Sequence, residues 1–357
     1  MAVVTWDGSS STAYSTAANW DTGSVPGDGD DVVIPDTSSI NACNVDSNDS
    51  CNSLTVLTNG EIGSDAGAKL AILGEADGTG ATTDGYAVKI DGVITDNTTT
   101  SLDLDMRTPA TTLIDIVPTS GSLRNLVINH ASFIGTFLGN TSISGNLTIT
   151  AGELKSAGSN SLTVTGDVDI TGTLTGNASA ISVGSLYLLD NGTYTATSGT
   201  TTITGLRSSG NRSFRKHSGA TFTHSNGKVL FNRNGDQFIG SEDSDHTITF
   251  YDLELTSSSS AAKQIRDMDL LVANDLTVGA NVTFSHEQVA DVITVTGDVD
   301  VSGTLNCSTT SGGANMNPTF GSLTINSGGT YTATAGTTII TKTSATAGHS
   351  GQPSAIE

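Results

Sequence analysis

Apolar residues along this chain alternate with polar ones over short runs. The segments 146–150 (NLTIT), 161–165 (SLTVT), 275–278 (DLTV) and 322–325 (SLTI) place Leu, Val or Ile at every second position, with Thr or another polar residue between them. A period of two gives a strand with one buried and one exposed face. Gly, Asn or Asp follows within a few residues, and these types supply the positive φ that a tight corner needs. Apolar residues at i, i+3, i+4 and i+7 are almost missing, so the chain is expected to be all-β.

The strands recur inside a longer echo. Residues 164–174 read VTGDVDITGTL and return at 295–305 as VTGDVDVSGTL, at an offset of 131. Residues 184–204 (GSLYLLDNGTYTATSGTTTIT) return at 321–341 (GSLTINSGGTYTATAGTTIIT), at an offset of 137. Upstream, 125–128 (NLVI) matches 252–255 (DLEL) at 127, and 146–149 (NLTI) matches 275–278 (DLTV) at 129. The offset grows while the strands keep their pattern, so insertions fall in turns. A weaker third echo lies at 52–62 (NSLTVLTNGEI). Within each long repeat the SL/NL strands return roughly every 15–30 residues, about one turn of a solenoid. The predicted fold is a parallel β-solenoid (β-helix) with an N-terminal capping segment; the alternative is tandem β-sandwich-like modules.

The pattern predicts a cap or attachment segment at 1–45, a first solenoid segment at 46–120, long repeat 1 at 121–249, a partial long repeat 2 at 250–345, and a flexible tail at 346–357. Both tryptophans, Trp6 and Trp20, and two prolines, Pro26 and Pro35, lie in that N-terminal segment. The first coil of a solenoid has an open edge that needs covering, and two large aromatics suit that task.

Composition adds limits. Aromatics are 5% and charged residues 14% of the 357 residues, with 41 glycines. Such a light, polar chain invites a disordered reading, but 35% is hydrophobic and arranged in alternation, which is a β pattern. The net charge of −22 argues against binding nucleic acid. No run approaches about 18 apolar residues, so no membrane span is expected. Residues 1–10 (MAVVTWDGSS) show neither the basic nor the apolar region of a secretory signal. Cys43, Cys51 and Cys307 make no disulfide framework; Cys43 and Cys51 could pair across a short loop, and free thiols are the favoured reading. No C-x-x-C or H-x-x-x-H spacing is present.

The candidate chemistry is sparse. Asp167/Asp169, repeated as Asp298/Asp300, form i, i+2 pairs on one strand face, about 6–7 Å apart. Paired carboxylates can hydrolyse glycosidic bonds, but duplication in a repeat favours a structural role, with Val168 and Ile170 inward and the acids in solvent. The same four acids, and Asp28, Asp30 and Asp31 of GDGDD, are weak calcium ligand candidates; a turn with exposed acids is the competing reading, and no other cofactor is expected. No G-x-S-x-G elbow or phosphate loop is present. N-x-[ST] triplets such as those at Asn140 and Asn146 are expected by chance, and Tyr194 and Tyr331 read as coil-edge packing. Arg207, Arg212, Arg215, Lys216, Lys228 and Arg233 fall close together in the chain, with His217 and His224 among them. They form a basic island that could dock on an acidic partner, or be balanced by Glu242, Asp243 and Asp245.

The opening WDG…NWD…VPGDGDDVVIP, and the segment 219–255 with its G-x-F, V-x-F and G-x-Q-x-I elements, resemble repetitive β-rich surface proteins of tailed-phage virions and bacterial exported adhesins. That resemblance implies a structural, non-enzymatic virion surface protein, made in the host cytoplasm, that serves as fibre, decoration or host-adhesion component. Its partners would be other virion proteins, further copies of itself, as in a trimer, or a host surface glycan. The alternatives are an extracellular bacterial cell-surface adhesin module and a glycan-degrading tailspike.

Overall fold

The computed structural model describes residues 1–95, 101–207, 209, 212–241, 246–286, 292–308, 317–334 and 336–342; the tail at 346–357 and the acids Glu242, Asp243 and Asp245 lie outside them. The chain is all-β, with parallel strands stacked as a β-solenoid of about 13 turns. One helical turn, Ala17–Asn19, occurs among the described residues. No helix among them is long and apolar enough to cross a membrane. Contacts divide the chain into two compact units, Met1–Gly184 with Asn191–Thr197, and Ser185–Asp190 with Ser198–Glu357. The division falls inside the segment 121–249.

In the first unit, alternation stacks like residues on like. Cys51, Ile72, Met106, Ile128, Ile149 and Ile170 stand in register on successive coils, and all six are fully buried. Each such side chain contributes roughly 1.5–3 kcal/mol of burial. The N-terminal aromatics are buried too. Trp20 packs edge-on against Trp6, with ring centroids 4.9 Å apart, and against Tyr14 at 4.8 Å. The Trp6 indole donates to the Asn41 carbonyl at 2.7 Å and the Trp20 indole to the Tyr14 carbonyl at 2.8 Å. Buried Asn19 ties 10–13 together by accepting from the Ser10 and Ser11 amides and donating to Ser11 Oγ and the Ala13 carbonyl. Cys43 and Cys51 are free and buried.

The second unit repeats the scheme with a heavier core. Phe231, Leu255, Val278 and Val301 form a fully buried column, which ends on Ile325, 45% exposed on the last described coil of that column. Phe214, Phe222 and Phe250 meet pairwise at 5.5 Å. Cys307 is free and buried. The extra length of the second echo falls between the strands Thr304–Asn306 and Thr319–Ile325.

The corner glycines differ from expectation. The strand Leu162–Ile170 pairs with Thr141–Ile143 on one side of Gly166 and with 147–149 on the other. Gly166 is absent from the positive-φ residues. Its requirement is space: a Cβ there would meet the Gly145 carbonyl oxygen at 2.5 Å and Asn146 Oδ1 at 2.2 Å. At Gly297 a Cβ would meet the Asn274 oxygen at 2.2 Å. Left-handed turns fall instead largely to asparagine, among them Asn177, Asn191 and Asn281.

Beside those glycines runs a ladder of side-chain acceptors. In the first unit, Asp103 Oδ1 accepts from the Asn125 amide (3.0 Å), Asn125 Oδ1 from the Asn146 amide (2.9 Å) and Asn146 Oδ1 from the Asp167 amide (2.8 Å). In the second, Asp252 serves the Asp275 amide (3.2 Å), Asp275 the Asp298 amide (2.8 Å) and Asp298 the Ser322 hydroxyl (2.7 Å). The Asp, Asn or Ser that precedes each leucine-type residue thus bonds one coil to the next.

Candidate partner-binding surface

Of the residues singled out by sequence, the acids serve architecture. Asp167 and Asp298 occupy the ladder, with Val168, Ile170 and Val299 buried inward beside them. The Lys342 ammonium and the Ser322 hydroxyl, both bonded to Asp298, hold its carboxyl below the usual range. Asp169 and Asp300 are half-buried, between inward neighbours. The GDGDD acids diverge. Asp28 takes the Ser50 hydroxyl, Asp30 caps the Gly27 amide at 2.9 Å, and Asp31 is no turn residue: it is fully buried in the strand Asp31–Ile34, where Asn52 and Ser53 each donate to it at 2.7 Å. Among the described residues no three His, Cys, Asp or Glu side chains are grouped to hold an ion. Tyr194 is not at a coil edge: it is fully buried, in register on Leu174. Tyr331, in register on buried Leu305, packs against Phe320 at 6.2 Å.

The six bases are only partly brought together. Leu186 registers with Phe214, so this coil is longer than the one that runs from Leu253 to its register partner Leu276. On the strand face opposite Leu186 and Leu188, both Ser185 and Tyr187 are buried instead of solvated. Arg207 and Arg215 lie over the Tyr187 ring, their guanidinium carbons 4.6 and 5.2 Å from its centroid. The Tyr187 hydroxyl donates toward the Arg212 carbonyl at 3.2 Å, and burial pushes its phenol above the ordinary range. Stacking of this kind is worth about 0.5–2 kcal/mol per cation. It holds the guanidinium planes on the ring, a geometry suited to bidentate bonds with carboxylate or phosphate.

Arg212 anchors the group: its guanidinium meets Asp267 at 2.5 Å and packs so closely over Gly240 that a Cβ there would lie 2.7 Å from Nε. Lys216 stands next in the strand Phe214–Lys216, and burial lowers its ammonium's pKa. Lys228 and Arg233 make other contacts. Lys228 pairs with Glu254 at 2.5 Å, and Arg233 donates to the Asp236 carbonyl at 2.7 Å within its own turn.

Sequence reasoning missed Tyr187 and Arg266, whose guanidinium stacks 3.5 Å over Phe238. A signal for Tyr187 exists, because it breaks the echo where the other copy has Thr324. Buried Lys263 was also missed. Its ammonium donates to the Arg233 and Gly235 carbonyls (2.8 and 3.0 Å) and to Gln237 Oε1 (2.6 Å), and burial brings it down to about 8. No family model, curated protein or solved structure matches the chain.

Proposed function

We propose that this protein is a non-enzymatic structural component of a phage virion surface, a fibre, decoration or adhesion protein, and that it docks through the arginines around Tyr187 on an acidic patch of a neighbouring subunit. The observation that carries the reading is the arginine-covered Tyr187. On a chain of net charge −22, three guanidiniums gathered over one lengthened coil offer a local positive field that favours an acidic surface. The virion setting rests on the resemblance of the opening and of 219–255. A structural role is supported by the use of Asp167 and Asp298 as ladder rungs.

Immunogold labelling of intact particles with antibody to this chain tests the setting: gold on the particle exterior is expected, and gold confined to the bacterial surface would replace the reading by an adhesin. Incubation with host polysaccharide tests the chemistry. Reducing ends released by the wild type and not by Asp167→Asn/Asp298→Asn would overturn the non-enzymatic reading in favour of a tailspike.

A further inference from the structure

On the outward face of the first unit, three coils shape a recess of about 230 Å³ lined by Asn48, Asp49, Ser50, Lys69, Ala71, Asp105 and Arg107. Its floor is one register row: Ser50 pairs with Ala71, and Ala71 with Asp105. Leu104 and Met106 fill the core on either side of Asp105, which puts Asp105 on the recessed face. Its side chain is only 2% exposed, while that of Arg107 is 49% exposed. Arg107 donates twice to Asp105, through Nε (3.0 Å) and a terminal nitrogen (2.7 Å), and both bonds go to the same oxygen, Oδ2. The other oxygen, Oδ1, is buried and has no partner. A buried acceptor left in that state costs about 1–3 kcal/mol, and a ligand that donates a hydrogen bond to it recovers this.

The charge around the recess narrows the ligand. Asp105 and Asp49 disfavour an anion, and Lys69 and Arg107 disfavour a metal ion or an amine by like-charge repulsion. What remains is a neutral molecule with several hydroxyls: donors for the carboxylates, and acceptors for Lys69, Arg107 and the Asn48 amide. The volume equals that of roughly eight waters at about 30 Å³ each, room for one sugar ring. Ala71 leaves the floor open for it. We propose that this recess is a binding site for one neutral sugar unit, with Asp105 accepting a sugar hydroxyl and Arg107 and Lys69 donating at the rim. It is independent of the Tyr187 surface and of the docking reading.

Saturation-transfer NMR on the full chain with glucose, galactose, mannose and N-acetylglucosamine, each at tens of millimolar, tests this. At least one should show transfer, and Ala71→Leu, which fills the recess and keeps Asp105, should weaken it tenfold or more with an unchanged melting temperature. Asp105→Asn should weaken it as well; if that variant fails to fold, Ala71→Leu alone decides. Transfer to no sugar, transfer unaffected by Ala71→Leu, or selective binding of calcium, glucosamine or inorganic phosphate in place of the neutral sugars would each overturn the proposal.

Discussion

Two residues show how local physics sets this chain's constraints. Gly166 stands at a corner where the next carbonyl leaves no space for a Cβ. Gly166→Ala should therefore lower stability by about 1–3 kcal/mol, read from urea midpoints. Gly29→Ala, at a position with nothing within 4 Å, should change it by less than about 0.5 kcal/mol; equal effects would refute the packing explanation. Lys263 gives a pH signature. Burial lowers its ammonium from the ordinary 10.5 to about 8, so the folded state releases its proton before the unfolded state does. Stability from this group is lowest and flat below about pH 8, and rises as pH climbs toward 10.5. Urea midpoints of the wild type relative to Lys263→Met should increase over that window; a flat difference would show that the ammonium is not desolvated.

At the scale of the strand, the ladder makes a prediction with two signs. Asp275 accepts the Asp298 amide at 2.8 Å and carries a charge in a row with Asp252 and Asp298. Asp275→Ala removes the acceptor and should cost about 0.5–1.5 kcal/mol. Asp275→Asn keeps an acceptor and relieves repulsion, so its urea midpoint should equal or exceed that of the wild type. Destabilisation by both would show that the carboxylate charge itself is needed.

The strands themselves were legible because alternation and the DL/NL/SL signature express the coil register directly. The corner glycines were visible as residues but misread as left-handed, since close approach leaves no trace distinct from φ in the sequence. Tyr194, Lys263 and the Asp105 recess were hidden for a common reason. Each depends on what the adjacent coil places opposite, and Ala71 and Asp105 meet across a long stretch of chain with no repeat linking them. The basic cluster was legible as composition; that Tyr187 organises three of its members and that Lys228 and Arg233 make other contacts was not.

For the whole molecule, charge is the governing quantity. A net −22 keeps copies apart and makes any docking through Arg207 and Arg215 sensitive to salt. Because the Debye length shrinks from about 10 Å at 0.1 M to about 3 Å at 1 M, association with an acidic partner should weaken steeply over that range. The most direct measurement is rebinding of purified protein to particles stripped of it, comparing the wild type with Arg207→Glu/Arg215→Glu. The account predicts binding at least tenfold weaker for the double variant, with circular dichroism and melting temperature unchanged. Equal binding by the two proteins would contradict it.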